Sequence, residues 1–256
     1  MEKDLRQAGE TLDDLLNGSL RILQKRKGYR FSLDALLLAH FIRLKGSGPA
    51  VEFGTGSAVI PLILQRRFGR KKIIGIEIQE NLADMARRSI RMNAMEDRIE
   101  IIAGDVRKIR NICKPRTCPV VFFNPPYRKA VSGRINADTE KALARHEIEG
   151  SLSEFLAAAR YILKAAGSVF VIYPARRLVE LLHRMRLNGI EPKRMRMVHT
   201  KACSEGSFVL VEGVKEGGEQ LEIMPPLFIY DEKGDYTEEM MALFREISGD
   251  SPSSCG

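Results

Sequence analysis

The sequence has no CxxC pair: its four cysteines, Cys113, Cys118, Cys203 and Cys255, stand apart with no histidine near them at ligand spacing. This spacing argues against a disulfide framework and against structural zinc, and it fits a reducing compartment such as the cytoplasm. No apolar run approaches the roughly 18 residues a spanning helix needs. The charged start, MEKDLRQAGE, lacks the apolar core of a secretory leader. A membrane or secreted protein is therefore not expected, and there is no internal repeat. Negative charge is also in deficit: 41 Lys and Arg face 33 Asp and Glu, for a formal net charge of +8. The excess is clustered, with five basic and no acidic residues in RILQKRKGYR (21–30) and seven basic residues in RRLVELLHRMRLNGIEPKRMRM (176–197). Any one such cluster serves equally as a solvated face, but the two together favour a polyanionic partner.

With 256 residues the chain can hold one substantial core and a small appended unit. Residues 1–45 read as that unit. LDDLLNG suggests a short helix ended by Gly18, LRILQ and GYRF suggest a hairpin around KRKG, and SLDALLLAHFIRL suggests an apolar helix capped by Ser32 or Asp34. After GSGP, strands and helices alternate through residues 46–248, which predicts an α/β fold. The expected sheet is Rossmann-like, doubly wound, mostly parallel and seven-stranded, with an antiparallel edge hairpin from KRMRMVHT and SFVLVEGV. IMPPLFIY reads as one more short apolar segment, and residues 249–256 as a disordered tail.

In such sheets ligands sit outside the carboxyl ends of the strands. The first strand ends in Glu52-Phe53-Gly54-Thr55-Gly56, where the glycines allow a tight turn and a close approach to a ligand. The third glycine of a dinucleotide fingerprint would fall on bulky Val59, and the acid before the loop suits a cationic ligand better than a pyrophosphate. The second strand ends in Glu77-Ile78, an acid placed to accept from ribose hydroxyls, and the third in Asp105-Val106, an acid placed to accept from an exocyclic amine. The fourth runs VVFF into Asn124-Pro125-Pro126-Tyr127, where the prolines stop the ladder. The result is a rigid corner with one amide, bare carbonyls and one ring. Taken in order, the four strand ends suit an amino-acid-bearing, positively charged nucleoside.

VEFGTGSAVIPL, IGIEI, AGDV and FFNPPY resemble the successive motifs of class I S-adenosylmethionine-dependent methyltransferases, over residues 49–213. KGYRFSLDALLLAHF is similar to the bacterial family that methylates the N6 amine of an adenine beside the anticodon of a valine tRNA. The resemblance implies S-adenosyl-L-methionine as cofactor, with Gly54 and Gly56 beneath it, Glu77 on its ribose, Asp105 on its adenine amine, and Tyr29, Phe31 and Asp34 covering its methionine side. At the corner, the Asn124 side chain and the Pro125 carbonyl would each accept one amine hydrogen, turning the nitrogen lone pair toward the methyl group. Tyr127 would stack on the extruded base.

Residues 128–147 are expected to form a mobile substrate loop, with Arg128, Lys129 and Arg134 as phosphate contacts beside Lys25, Arg26 and Lys27. His146 reads as a surface residue. The expected partner is RNA, with tRNA foremost; no metal and no membrane are expected, and a monomer is favoured. The same corner also serves methylation of a protein glutamine amide, a guanine amine of ribosomal RNA, or adenine in DNA. An RNA-binding protein that keeps the fold without turnover is the non-enzymatic alternative. The first lacks use for the basic clusters, and the DNA enzymes usually bring a recognition domain for which no room remains.

Overall fold

The computed structural model describes residues 5–15, 18–27, 32–69, 71–125 and 152–248. A two-residue period of apolar side chains builds its central sheet. In β3 (Ala50–Phe53) and β6 (Cys118–Phe123) every residue is buried; Val51, Phe53, Val121 and Phe123 face one core, while Ala50, Val120 and Phe122 face the other. The sheet continues through β4 (Ile73–Glu77), β5 (Ile99–Ala103), β7 (Leu163–Pro174), β8 (Ile190–His199) and β9 (Gly206–Lys215). Two dipeptide strands, β10 (Glu222–Ile223) and β11 (Leu227–Phe228), complete it. The order is β10-β8-β9-β7-β6-β3-β4-β5, with β11 also on β8.

The alternation of strands and helices appears as expected, and the sheet is mostly parallel. The β8–β9 hairpin is antiparallel, but β9 is the inner member, placed between β8 and β7. Among the described residues the sheet has nine strands where seven were expected. The two additions come from the segment containing Pro225 and Pro226, which lack the N–H groups to continue one ladder and so split it into two short pieces.

The helices are α1 (Leu33–Phe41), α2 (Val59–Phe68), α3 (Glu80–Met92), α4 (Leu152–Ile162), α5 (Leu178–Leu187) and α6 (Glu238–Ser248). Helices α1, α2 and α6 contribute to one core, and α4 and α5 to the other. Helix α6 had no counterpart in the sequence reading; Met240, Leu243 and Ile247 bury its apolar stripe.

The N-terminal segment departs most from expectation. LDDL (12–15) lies in a strand, β1 (Glu10–Leu15), which pairs antiparallel with β2 (Leu20–Lys25); the hairpin therefore comes one element earlier than predicted. KRKG is not its turn, and GYRF lies outside the described residues. The reason is tertiary. Helix α3 stands in for a third strand: the Leu23 N–H donates to Ser89 Oγ at 3.0 Å, and Arg21 exchanges two backbone bonds with the Asn93 amide, at 3.0 and 2.7 Å. The Arg88 guanidinium then forks onto both Glu10 oxygens at 2.7 Å.

Candidate active site

The chain passes from β3 outward through β4 and β5, then returns to place β6 on the other side of β3, so strand order reverses between β3 and β6. Clefts for ligands open at such switch points. The order β6-β3-β4-β5 sets Asn124, Glu52, Glu77 and Asp105 in a row across four adjacent strands, each at or just beyond its strand's carboxyl end. Beneath the row, Phe155 of α4 meets Phe53 and Phe123 edge-on, with ring centroids 5.9 and 5.3 Å away.

The loop after β3 turns through left-handed backbone at Gly54 (φ 67°), Gly56 (φ 56°) and Ala58 (φ 63°) before α2 begins. Glu77, 4% exposed, ties this loop down: Oε2 accepts the Gly56 N–H at 2.8 Å and Oε1 accepts the Gln79 N–H at 2.9 Å. Glu52 is 3% exposed and accepts the Thr55 hydroxyl. Burial pushes its carboxyl well above the usual range, the Thr55 bond pulls the other way, and the nearby Glu77 charge adds to the rise. The negative charge expected of Glu52 is therefore suppressed, and the side chain braces the loop. The Ser57 hydroxyl, buried in the same loop, has no hydrogen-bond partner among the described residues.

Gly75 of β4 was missed from the sequence. A Cβ there would lie 2.8 Å from Thr55 Oγ1, 2.9 Å from Thr55 Cβ and 2.8 Å from Ile101 Cδ1. The glycine lets Thr55 lie flat on the sheet.

Asp105 caps the 3-10 turn Val106–Asn111 and is gripped by Arg107: its oxygens accept the Arg107 backbone N–H at 2.9 Å, Nε at 2.9 Å and Nη2 at 2.7 Å. Those bonds, above all from the guanidinium, hold its carboxyl below its ordinary value. Val106 beside it is buried, and Ile78 is half-buried. Asn124 is half-buried and Pro125 buried. The Asn124 Nδ2 donates to Asp34 Oδ2 at 3.0 Å, which brings the start of α1 to the corner. At the end of β2, Lys25 is half-buried, while Arg26 and Lys27 are exposed. Tyr29, Phe31, Pro126, Tyr127, Arg128, Lys129, Arg134 and His146, with the whole of 128–147, lie outside the described residues, as does the tail 249–256.

A separate open pocket of about 390 Å³ lies at the far end of α1, lined by His40, Arg43, Arg67, Arg194, Arg196 and Glu246 among others. Three of its guanidiniums are committed: Arg67 to Glu246, Arg194 to Glu212 and Arg196 to Glu239. Among the described residues no group of three His, Cys, Asp or Glu side chains could hold a metal, and no helix is long and apolar enough to cross a membrane.

Two curated relatives share one name, tRNA1(Val) (adenine(37)-N6)-methyltransferase. The protein of Actinobacillus succinogenes is 28% identical over 224 residues, 87% of this chain and 91% of the relative. That of Trichodesmium erythraeum is 28% identical over 155 residues, 60% of this chain and 64% of the relative, so less than two thirds of its length is spanned. The chain resembles the tRNA1(Val) adenine-N6 methyltransferases. The profile of the protein-L-isoaspartate(D-aspartate) O-methyltransferase family matches residues 23–110, ending before β6. Among solved structures, a predicted O-methyltransferase from Agrobacterium tumefaciens superposes with a TM-score of 0.69 at 18% identity, covering 84% of this chain and 96% of that one. That likeness identifies the fold as the Rossmann-like fold of methyltransferases.

Proposed function

We propose that this chain transfers a methyl group from S-adenosyl-L-methionine to the N6 amine of an adenine in tRNA, in the anticodon loop as the sequence resemblance implies. The observation that carries this reading is the row Asn124, Glu52, Glu77, Asp105 across four adjacent strand ends. The cofactor suits what is present: left-handed glycines let a ligand approach the backbone, Ser57 offers a buried hydroxyl that lacks a partner among the described residues, and two acids follow on the next strands. Bound there, S-adenosyl-L-methionine supplies a methyl group on a sulfonium. Glu77, which accepts two backbone bonds from the loop, would accept from the ribose hydroxyls. Asp105 would serve the adenine amine once Arg107 yields a lone pair. Tyr29, Phe31 and residues 1–45 generally would cover the cofactor's methionine side, over the body 46–248.

At the corner, Asn124 and the Pro125 carbonyl accept the two hydrogens of the substrate amine, which draws the nitrogen toward a tetrahedral shape and aims its lone pair. A strong base is not required, because the nitrogen becomes acidic once methylated and its proton passes to water. Tyr127 would hold the extruded base by stacking, about 1–3 kcal/mol. Lys25, Arg26, Lys27, Arg128, Lys129 and Arg134 would meet phosphates, and a cytoplasmic location follows from a tRNA substrate. The isoaspartyl profile ends before Asn124, so it speaks for the cofactor half and leaves the substrate to the corner.

The test is transfer from labelled cofactor to tRNA, ribosomal RNA, DNA and protein extract in parallel. N6-methyladenosine in tRNA, lost in Asn124→Ala while cofactor binding persists, supports the proposal. Label on glutamine or on guanine N2 replaces the substrate and keeps the corner; cofactor binding with no acceptor among the four favours an RNA-binding protein without turnover.

A further inference from the structure

Asp34 joins two elements that lie 90 residues apart. It is 7% exposed, and its two oxygens do different work. Oδ1 accepts the Ser32 hydroxyl and the Ala35 N–H, the latter at 3.0 Å, so it is anchored in the first turn of its own helix. Oδ2 accepts from Asn124 Nδ2 at 3.0 Å. A primary amide has two nearly isosteric ends, and a hydrogen bond to a group with both donor and acceptor character would not tell them apart. A carboxylate does tell them apart, because it offers only lone pairs. The NH2 of Asn124 must face Asp34, and the planar amide then turns Oδ1 away from it.

We propose that Asp34 is a positioning residue that fixes which end of the Asn124 amide is presented to the substrate amine. The inference rests on the proposed role of Asn124 as acceptor. A substrate amine brings two N–H donors; an amide free to flip would meet them with its own NH2 part of the time, donor against donor. Anchoring the carboxylate to helix α1 removes that orientation. The role differs from covering the cofactor's methionine side, which the sequence resemblance implied for Asp34, and the two make different predictions.

The experiment compares the full-length wild type with Asp34→Ala, Asn124→Asp and the exchanged pair Asp34→Asn/Asn124→Asp. Three quantities are read: the Asn124 side-chain amide signal in 15N-labelled protein, assigned by its loss in Asn124→Asp; S-adenosyl-L-homocysteine affinity by calorimetry; and single-turnover transfer to tRNA. In Asp34→Ala the amide signal is expected to shift away from its wild-type position, cofactor affinity to stay within about twofold, and the transfer rate to fall about tenfold to a hundredfold. Asn124→Asp alone sets two carboxylates against each other and is expected to be worse; the exchanged pair restores one donor facing one carboxylate and is expected to recover part of the loss. An unmoved amide signal in Asp34→Ala overturns the proposal. So does a loss of cofactor affinity with full transfer at saturating cofactor, or an exchanged pair no better than Asn124→Asp. If Asp34→Ala does not fold, the exchanged pair decides through transfer, and its melting point shows whether α1 is intact. A wild type that labels no tRNA removes the substrate reading alone, because the amide signal is read without substrate.

Discussion

Replacing Gly75 by alanine tests whether the sheet beneath the glycine loop must be bare. The added methyl would lie 2.8 Å from both Ile101 Cδ1 and Thr55 Oγ1, and 2.9 Å from Thr55 Cβ. Ile101 can yield, since the contact is with the end of a flexible side chain. Thr55 cannot: its N–H bonds the Ile76 carbonyl at 3.2 Å, and its hydroxyl bonds the buried Glu52. Overpacking of this kind costs about 1–3 kcal/mol. Driving the hydroxyl off Glu52 leaves a buried carboxyl without its partner, another loss of about 1–3 kcal/mol. The sum, about 2–6 kcal/mol, lowers the melting temperature by roughly 4–24 °C for a chain of this size. Calorimetric melting, with titration of S-adenosyl-L-homocysteine, reads both stability and the loop, and affinity should fall as the loop shifts. In the double variant Thr55→Ala/Gly75→Ala the losses should be less than additive, because the first change already removes the hydroxyl that the second displaces. Melting within about 1 °C of wild type, with unchanged affinity, would refute the reasoning.

Other consequences are accessible to simple assays. Arg107 occupies both oxygens of Asp105, so Arg107→Ala should tighten binding of S-adenosyl-L-homocysteine and Asp105→Ala should weaken it; equal or weaker binding in the arginine variant would show that the two do not compete. The Arg88 fork lowers the Glu10 carboxyl from its ordinary 4.5 in the folded protein. Its stabilisation is therefore complete above the unfolded value and lost as pH falls through the folded one. Between about pH 6 and pH 3.5 the urea midpoint of wild type should fall more than that of Glu10→Gln, and parallel curves would dismiss the pair as a stabiliser. Ser89→Ala strips the Leu23 N–H of its acceptor, about 1–3 kcal/mol, and should raise amide exchange along β2 before the central sheet responds.

From β3 to β9 the sequence could be read because each element carries its own period and its own punctuation: apolar runs for buried strands, helical stripes between them, and glycine or proline at the joints. The same local logic fails at LDDL (12–15), where residues that suit a helix form part of β1. What decides that segment is the face of α3, with Asn93 bonding Arg21 across 72 positions of chain. At the site, the positions of Glu52, Glu77, Asp105 and Asn124 follow from counting strand ends, whereas their partners do not. The Thr55 hydroxyl on Glu52 and the Arg107 fork on Asp105 are matters of rotamer and burial, and they change what each acid can offer. Gly75 carries no local signal, since only the folded loop reveals that a methyl has no room.

Charge along the row is uneven, and the unevenness suits the proposed chemistry. Glu52 is driven toward neutrality by burial, whereas on the β5 side the Arg107 guanidinium holds the Asp105 carboxyl below its ordinary value. The β6 end presents a neutral amide. A carboxylate there would bring a desolvation cost of its own. An amide whose NH2 is bonded to Asp34 avoids that cost while gaining part of the effect, because hydrogen bonds in series polarise one another and the bonded NH2 makes its own carbonyl oxygen a stronger acceptor. The Asp34 carboxyl thus stands behind the corner, anchored in α1, and reaches the substrate amine only through the Asn124 amide.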